Sequence, residues 1–288
     1  KNRFVAYIRL MRLHRPIGIL LLLWPVLWAL WVAASGVPDI KVLTVFVLGT
    51  IVMRSAGCVI NDFAGRNIDG HVHRTKHRPL ATGSVSTKEA LTLFLLLVVV
   101  AGLMVLSLND LTFRLAFVGV ALAVIYPFMK RYTYLPQIFL GLAFGWGIPM
   151  AFAAQTGAVP NIAWALMASA VLWAMIYDTQ YAMVDRDDDL KIGVKSTAIL
   201  FDDADRTFIG TFQILMICGL AMIGRDAQLG WPYALALITC AGLALYQQVL
   251  IHQRSPKGCF KAFMNNNWYG AVVFVGIVAS YAFERCDL

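Results

Sequence analysis

The sequence predicts an all-α membrane protein of about nine transmembrane helices, and three observations support this fold class. Hydrophobic residues make up 60% of the 288-residue chain and charged residues only 14%, against roughly 45–50% and ~25% in soluble domains. The mean hydropathy is +0.71. The apolar residues fall in segments of the ~17–25 residues that a membrane-spanning helix needs. We expect the whole chain, residues 1–288, to form a single transmembrane domain.

Nine apolar segments are the expected spans, and the connections between them are of two kinds. Four connections are short and turn-like, with the sequences GVPD, SLND, QTGAVPN and GRDAQLGWP, whereas the others are longer and charged. The five cysteines show no CxxC or metal-type spacing, so we expect them to be small core residues. The expected spans are residues 17–35, 41–60, 91–108, 111–129, 135–155, 162–183, 208–223, 232–251 and 268–283.

The lysines and arginines are distributed unevenly between the two sides of this topology. With nine alternating spans, nineteen of them fall on the side of the N-terminus and four on the opposite side. Cytoplasmic loops carry an excess of Lys and Arg, so the N-terminus is expected to face the cytoplasm. The net charge of +8 is then a consequence of membrane topology, and we expect no nucleic-acid partner. The basic residues within 1–12 are expected mainly to hold the N-terminus at anionic headgroups.

An acidic segment, DTQYAMVDRDDDLKIGVKS at residues 178–196, follows the sixth span. Asp178, Tyr181, Asp185 and Asp189 lie at positions i, i+3, i+7 and i+11, so they share one face if the helix continues. Carboxylates at the mouth of a membrane helix are costly unless something pairs with them. The segment therefore predicts a cationic partner nearby.

A second acidic segment, NDFAGRNID at residues 61–69, lies on the same side of the membrane. Asn61 and Asp69 face one way if the second span extends as a helix to Asp69. Two acidic helix ends repel each other unless divalent cations lie between them. The available ligands are carboxylate and amide oxygens without a His/Cys cluster at zinc spacing, so the expected cation is Mg²⁺. The alternative is a solvated run of charges, and the histidines at 71, 73 and 77 are expected to be loop residues.

Basic side chains beside these carboxylates indicate a site that handles phosphate, because Mg²⁺ often shares its coordination with substrate phosphate oxygens. At a membrane helix mouth this suggests a lipid diphosphate whose tail lies between helices. If the lipid is allylic, loss of diphosphate leaves a carbocation-like centre that the π faces of Tyr126, Tyr177 and Tyr181 can stabilise; core packing is the alternative role of these tyrosines. The candidate phosphate contacts are Arg66, Arg74, Lys130, Arg131, Lys191 and Lys195.

Three longer segments carry a family resemblance: CVIND…DGHVHRTKHRPLATG, YPFMKRYTYLPQ and YDTQYAMVDRDDDLKIGVKSTAILF. With RLHRPIGILLLLWP near the start and CFKAFMNNN near the end, the chain resembles the UbiA intramembrane prenyltransferases over nearly its whole length. It is most similar to the bacterial branch that acts on 4-hydroxybenzoate in ubiquinone biosynthesis. The resemblance implies nine helices around a central cavity in the inner membrane, with both acidic motifs cytoplasmic. It also implies Mg²⁺-dependent transfer of a polyprenyl group from its diphosphate to the ring carbon ortho to the hydroxyl.

The resemblance implies roles for Tyr126, Lys130 and the acidic motif residues, and the roles of the other candidates are predicted from their chemistry. Tyr126 and Lys130 meet the diphosphate, with Arg66 as a further contact. Arg54 or Arg131 receives the carboxylate of the acceptor, and Asp178 supports the site or contacts the acceptor hydroxyl. Tyr181 and Lys195 are further candidates for substrate binding. The residues expected to hold Mg²⁺, directly or through water, are Asn61, Asp62, Asp69, Asp185 and Asp189.

One position departs from the family pattern NDxxDxxxD. Gly65 stands where the middle aspartate is expected, and glycine has no side chain to bind a metal. The loss of one carboxylate weakens cation binding, so we hypothesise an altered chain with impaired activity.

Two other functions remain open from the sequence. A cation-coupled transporter also places acidic groups at helix ends, although transporters usually show internal repeats and sites reached from both membrane faces. Within the family, homogentisate, a naphthoate or haem are alternative acceptors.

Overall fold

The structure, a computed structural model, describes residues 3–67, 70 and 75–284, and this part of the chain is helical with no β-strand. A 3₁₀ turn, Asp202–Ala204, lies between two of the α-helices. The helices are α1 (Arg3–Leu10), α2 (Ile17–Ala34), α3 (Ile40–Gly65), α4 (Thr87–Val105), α5 (Asp110–Met129), α6 (Pro136–Gly145), α7 (Gly147–Thr156), α8 (Asn161–Ile192), α9 (Thr197–Phe201), α10 (Asp205–Asp226), α11 (Trp231–Leu250) and α12 (Pro256–Glu284).

The prediction of an all-α membrane protein is confirmed. In the described residues, eight helical segments are long and apolar enough to cross a membrane. The ninth expected span, 268–283, lies within α12. The fifth span differs from the prediction in one respect, because it consists of two helices, α6 and α7, that meet at Trp146.

Two helices extend well beyond their expected apolar spans, and both carry acidic motifs. The second span was expected to end at residue 60, but α3 continues to Gly65. The sixth was expected to end at residue 183, but α8 continues to Ile192, where Gly193 adopts a φ of 69° and ends it. The 32 residues of α8 measure about 48 Å, more than the ~30 Å hydrocarbon layer. Its last turns therefore protrude from the apolar layer.

The short connections contain the capping residues that start new helices. The Asp39 carboxylate accepts hydrogen bonds from the backbone N–H groups of Lys41 and Val42, at 2.9 and 3.0 Å. Asn109 caps α5 in the same way, through the N–H of Thr112 at 3.0 Å. A buried helix start would otherwise leave orphan N–H groups, so these side chains determine where the spans begin.

The core lies where α2, α8 and α12 meet. Trp28 and Trp173 are almost completely buried, with ring centroids 5.2 Å apart. The indole N–H of Trp28 donates to the carbonyl of Gly270 at 3.0 Å, which joins α2 to α12. By contrast, α4 and α5 bury few of their residues and present apolar side chains outward, as lipid-facing helices do.

The ends of α3 and α8 lie at the same end of the bundle as the start of α2, the end of α5 and the start of α12. We call this the motif end. Contacts of α8 with α6, α10 and α12, and of α2 with α3, α7 and α12, close the bundle around a central cavity that opens there.

Candidate functional site

The central cavity has a volume of about 1120 Å³ and is bounded by α2, α3, α5, α6, α8 and α12. It brings together most of the residues that the sequence singled out. The predicted site residues that line it are Arg54, Asn61, Asp62, Tyr126, Lys130, Asp178, Tyr181, Asp185, Asp189 and Lys195.

The acidic face of α8 has the predicted form. Because the helix continues to Ile192, Asp178, Tyr181, Asp185 and Asp189 all face the cavity. Tyr181 also packs on Phe263 of α12, with ring centroids 4.6 Å apart. The face therefore runs from the apolar part of the cavity to its mouth.

The first acidic motif lies opposite, at the end of α3. Asn61 lines the cavity beside Asp62, whose side chain is only 1% exposed. One Asp62 oxygen accepts from Arg12 at 2.5 Å and lies 3.3 Å from Arg78. The other oxygen, Oδ2, is buried without a hydrogen-bond partner in the described part of the chain. Asp69 lies outside the described residues. The helical continuation to Asp69 that the sequence analysis considered does not form, because α3 ends at Gly65 and a turn follows at Arg66 and Asn67.

The turn after α5 carries the predicted diphosphate contacts. Tyr126 and Lys130 line the cavity. Lys195 joins this turn to the segment after α8, because its backbone N–H donates to the Lys130 carbonyl at 3.1 Å. The Lys195 ammonium group also donates to the Tyr132 carbonyl at 3.4 Å. Lys195 thus serves partly to hold two loops together.

Three predicted phosphate or substrate contacts, Arg66, Arg131 and Lys191, do not line the cavity, and Arg74 lies outside the described residues. Lys191 lies 3.7 Å from Asp188 on α8. The guanidinium group of Arg66 donates to the Phe63 carbonyl at 2.8 Å and lies over the Phe63 ring, 4.3 Å from its centroid. Arg131 donates to the carbonyl of Ala64 and so joins the turn after α5 to the end of α3. The substrate roles assigned to these two arginines stay predictions.

Arg54 lies deeper, on the wall formed by α3. Its guanidinium group donates to the thiol of Cys58 and stands 5.8 Å from the centroid of the Phe144 ring. The Arg54 Nε atom is buried without a hydrogen-bond partner in the described residues. Gly18 of α2 leaves room for this group, since a Cβ there would lie 2.7 Å from Arg54 Nε. A buried guanidinium group with an unpaired donor is well suited to receive an anion.

The structure adds basic residues to the site, among them Arg9 and Arg12, which the sequence analysis had placed at the membrane headgroups. Arg9, Arg12 and Arg15 line the cavity, as do Arg78 and Lys261. Eight Lys and Arg side chains but four Asp side chains line it in the described part of the chain, so the cavity favours anions. The RLHRPIG and HRPLATG segments contain three of the added residues, Arg12, Arg15 and Arg78. The recurrence of arginine in these two segments was the sequence signal that could have identified them.

His14 also lines the cavity but adds no charge near neutral pH. Burial, followed by the charge of Arg15, lowers the pKa of the imidazole below its ordinary value. The positive potential therefore comes from the arginines and lysines.

A buried ion cluster, which the sequence analysis missed, holds the segment after α8. Asp205 accepts from Arg186 and from Arg254, whose Nε lies 3.0 Å from Oδ1 and 3.1 Å from Oδ2. Arg254 also donates to the backbone carbonyl of Asp203 at 2.6 Å. Because Arg186 lies within the second acidic motif, this cluster attaches the motif to the start of α10.

A second, apolar cavity of about 370 Å³ lies between α2, α3, α4, α5 and α7. Arg54, Tyr126 and Phe144 line both cavities, so these three side chains form the boundary between them. Gly49, Gly57 and Gly102 contribute to its wall, and a Cβ at any of the three meets no atom within 4 Å.

The oxygen ligands around the central cavity suit a hard divalent cation. In the described residues no three His, Cys, Asp or Glu side chains form a ready cluster for a metal. However, Asn61, Asp62, Asp185 and Asp189 line the same cavity, and in the described part of the chain the buried Asp62 Oδ2 has no hydrogen-bond partner. Carboxylate and amide oxygens of two separate helices fit Mg²⁺ that also binds a substrate phosphate.

Comparison with known proteins identifies the family of this chain. The model of the UbiA prenyltransferase family matches residues 22–270. The chain belongs to this family. A 4-hydroxybenzoate octaprenyltransferase from Alkalilimnicola ehrlichii is 61% identical over 278 residues, covering 96% of this chain and 95% of that protein. A protein of the same name from Methylococcus capsulatus is 59% identical, covering 98% and 96%.

Solved structures of UbiA homologues share the fold. The apo structure of a homologue from Aeropyrum pernix K1 matches with a TM-score of 0.80 at 21% identity, covering 91% of this chain and 97% of that one. A homologue from Archaeoglobus fulgidus bound to GPP and Mg²⁺ matches with a TM-score of 0.71 at 18% identity, covering 93% and 99%. The fold expected from the resemblance is confirmed for this UbiA-family chain.

Proposed function

We propose that this chain transfers a polyprenyl group from polyprenyl diphosphate to 4-hydroxybenzoate, at the ring carbon ortho to the hydroxyl, in ubiquinone biosynthesis. The observation that supports this most is the central cavity, where the two acidic motif helices and the turn after α5 face one space. Relatives that are 53–61% identical over nearly the full chain carry the name 4-hydroxybenzoate octaprenyltransferase. The transporter alternative has no comparable support, because the family is one of prenyltransferases.

Mg²⁺ is the proposed cofactor. Asn61, Asp62, Asp185 and Asp189 would hold it, together with Asp69, directly or through water. The unpartnered Asp62 Oδ2 supports this, since a buried carboxylate oxygen without a partner is costly. When bound, Mg²⁺ neutralises charge on the diphosphate and makes it a better leaving group.

The diphosphate lies at the mouth of the cavity. Lys130 and Tyr126 contact its oxygens, and the excess of basic side chains stabilises the negative charge that grows as it leaves. The bond between the allylic carbon and the diphosphate oxygen breaks, and the electron pair leaves with the diphosphate. The apolar tail extends past Tyr126 and Phe144 into the second cavity, whose lining is almost entirely apolar.

The acceptor binds deeper, beside Arg54. The free Arg54 Nε atom receives the carboxylate of 4-hydroxybenzoate, and Phe144 borders the same space. Asp178 contacts the acceptor hydroxyl. The ring carbon ortho to that hydroxyl attacks the allylic cation, which the faces of Tyr126 and Tyr181 stabilise. Loss of the ring proton then restores aromaticity.

The same proposal places the chain in the bacterial inner membrane as a single multi-pass domain. The excess of Lys and Arg at the motif end supports a cytoplasmic position for the N-terminus and for both acidic motifs. The accessibility of single cysteines introduced at the two ends of the bundle to an impermeant thiol reagent measures this orientation.

The central test uses membranes containing the protein, labelled 4-hydroxybenzoate and polyprenyl diphosphate. We expect lipid-soluble labelled product that requires Mg²⁺ and is lost with a chelator. Gly65→Asp is expected to raise the rate and to lower the Mg²⁺ concentration needed, because it adds a carboxylate to the first motif.

Gly65→Ala is the matched control. It adds a side chain at the same position without adding a metal ligand, so the required Mg²⁺ concentration stays unchanged. Failure of the Gly65→Asp chain to form product would refute the proposed reaction. An active parent whose rate does not respond to Gly65→Asp would refute only the hypothesis of impairment.

A further inference from the structure

A chain of buried side-chain amides crosses the bundle behind the second acidic motif. It links α8, α10, α11 and α12, and its central members are at most 3% exposed. Amides are costly in an apolar interior unless every hydrogen bond is made. Its members are Gln180, Gln213, Gln247, Gln248, Asn265 and Asn266.

At one end of this chain of amides, an indole fixes which way the amide groups point. Trp173 has only a donor, and its Nε1 lies 3.0 Å from Asn266 Oδ1. The Asn266 amide nitrogen therefore faces the other way, where it donates to the Ala262 carbonyl at 3.0 Å and to Gln180 Oε1 at 2.8 Å. Gln180 is then oriented with its own nitrogen toward α11.

The opposite end is set by a backbone carbonyl. Gln248 donates from Nε2 to the Arg206 carbonyl at 3.4 Å and to Gln213 Oε1 at 3.0 Å. Gln213 in turn donates to Gln247 Oε1 at 2.9 Å. Gln180 donates to the same oxygen at 3.0 Å. Because Gln213 and Gln180 both donate to Gln247 Oε1, the amide nitrogen of Gln247 must point away from these two residues.

This nitrogen points toward the cavity wall on α12. Gln247 Nε2 donates to Asn265 Oδ1 at 3.0 Å. Two residues along, the indole nitrogen of Trp24 donates to Asn267 Oδ1, also at 3.0 Å. Asn265 and Asn267 both line the central cavity. Because Gln247 and Trp24 donate to the two amide oxygens, the NH₂ group of each asparagine is the part left to face the cavity.

The level of these donors in the cavity follows from the contacts of α8. Gln180 is bonded to Asn266, which lies between the two lining asparagines, and Asp178 and Tyr181 flank Gln180. Asp185 is five residues further along α8, or roughly 7 Å nearer the mouth. The NH₂ groups of Asn265 and Asn267 therefore lie deeper in the cavity than Asp185, toward the place where the aromatic acceptor is proposed to bind.

We infer that Asn265 and Asn267 are substrate-binding residues, whose oriented NH₂ groups donate hydrogen bonds to an anionic substrate oxygen. This rests on the proposed function, which supplies two such oxygens: the carboxylate of the aromatic acceptor and the diphosphate. A donor fixed in advance binds an oxygen without the cost of reorienting, which is the physical advantage of the amide chain.

Asn265→Asp tests this, because it keeps the shape and the oxygen that accepts from Gln247 but replaces the NH₂ donor with a repelling oxygen. Asn161→Asp is the matched control, an exposed amide at the start of α8 at the opposite end of the bundle. KM is measured separately for 4-hydroxybenzoate and for polyprenyl diphosphate. Equilibrium binding of each substrate in detergent provides a second readout that needs no turnover.

We expect Asn265→Asp to raise KM and the dissociation constant about 10- to 100-fold for one substrate, and the substrate affected identifies the oxygen. Asn161→Asp is expected to change neither. Unchanged binding of both substrates by folded Asn265→Asp protein overturns the inference. Lack of product from the Gly65→Asp chain instead overturns the proposed function, while binding still reports on Asn265. If Asn265→Asp does not accumulate, Asn265→Ala removes the donor without adding charge, and unchanged binding there overturns the inference equally.

Discussion

Replacement of Asp205 by asparagine is expected to destabilise the protein more than any other single isosteric change near the acidic motifs. The Asp205 carboxylate is 0% exposed, and it pairs with Arg186 and Arg254, whose side chains are 16% and 32% exposed. Asn keeps the shape and one acceptor oxygen but removes the negative charge. Both guanidinium groups then remain close together without their shared counter-ion.

The size of the effect follows from this burial. Removal of one partner from a buried ion pair costs 3–5 kcal/mol. Arg254 is partly solvated, and Arg186 keeps a contact with Asp202 at 3.7 Å, so the lower end of that range applies. We expect a loss of about 3 kcal/mol in the free energy of unfolding, which corresponds to a decrease in Tm of about 5 °C for a chain of 288 residues.

Thermal unfolding of the purified protein in detergent measures this difference. Asp203→Asn is the matched control, because Asp203 is exposed and contacts Arg254 only through its backbone carbonyl. It makes the same change of charge two residues away, and we expect a change in Tm of less than about 2 °C.

Equal values of Tm for the two variants would contradict the argument. That result would mean that the Asp205 cluster is solvated enough for water to replace the carboxylate. A loss of Tm in both variants would instead point to a general effect of net charge, and raising the salt concentration would then reduce it.

Three further predictions follow from the cavity walls. Gly18→Ala places a Cβ against the guanidinium group of Arg54, so we expect KM for 4-hydroxybenzoate to rise about tenfold with little change in Tm; an unchanged KM contradicts the assignment of Arg54. Gly102→Leu fills the apolar cavity without a clash at Cβ, so the rate should fall with long polyprenyl donors and remain with geranyl diphosphate; an equal loss with both donors contradicts the path of the tail. Arg12→Ala removes one of the two arginines that pair with Asp62 while Arg78 remains, so we expect a loss of about 3 kcal/mol in the free energy of unfolding, the lower end of the range for a buried pair, measured by thermal unfolding; a stability equal to that of the parent contradicts it.

The sequence by itself determined the membrane class and the position of most spans, because apolar composition and helical period are local properties. It also determined the acidic face of α8. The spacing of Asp178, Asp185 and Asp189 needs only an unbroken helix to place them on one side, and α8 is unbroken to Ile192. The family resemblance of the YPFMKR segment indicated Tyr126 and Lys130, and both line the cavity.

Only the tertiary structure decided which side chains pair across the bundle. Arg12 and Asp62 are 50 residues apart, and Gln180 and Asn266 are 86 apart, so no local pattern relates them. Arg66 and Arg131 were chosen as substrate contacts for their charge, but they bond to the backbone at the end of α3. Charge and spacing fix the face of a helix on which a residue lies. The rotation and depth at which helices pack decide whether that face meets substrate, lipid or another side chain.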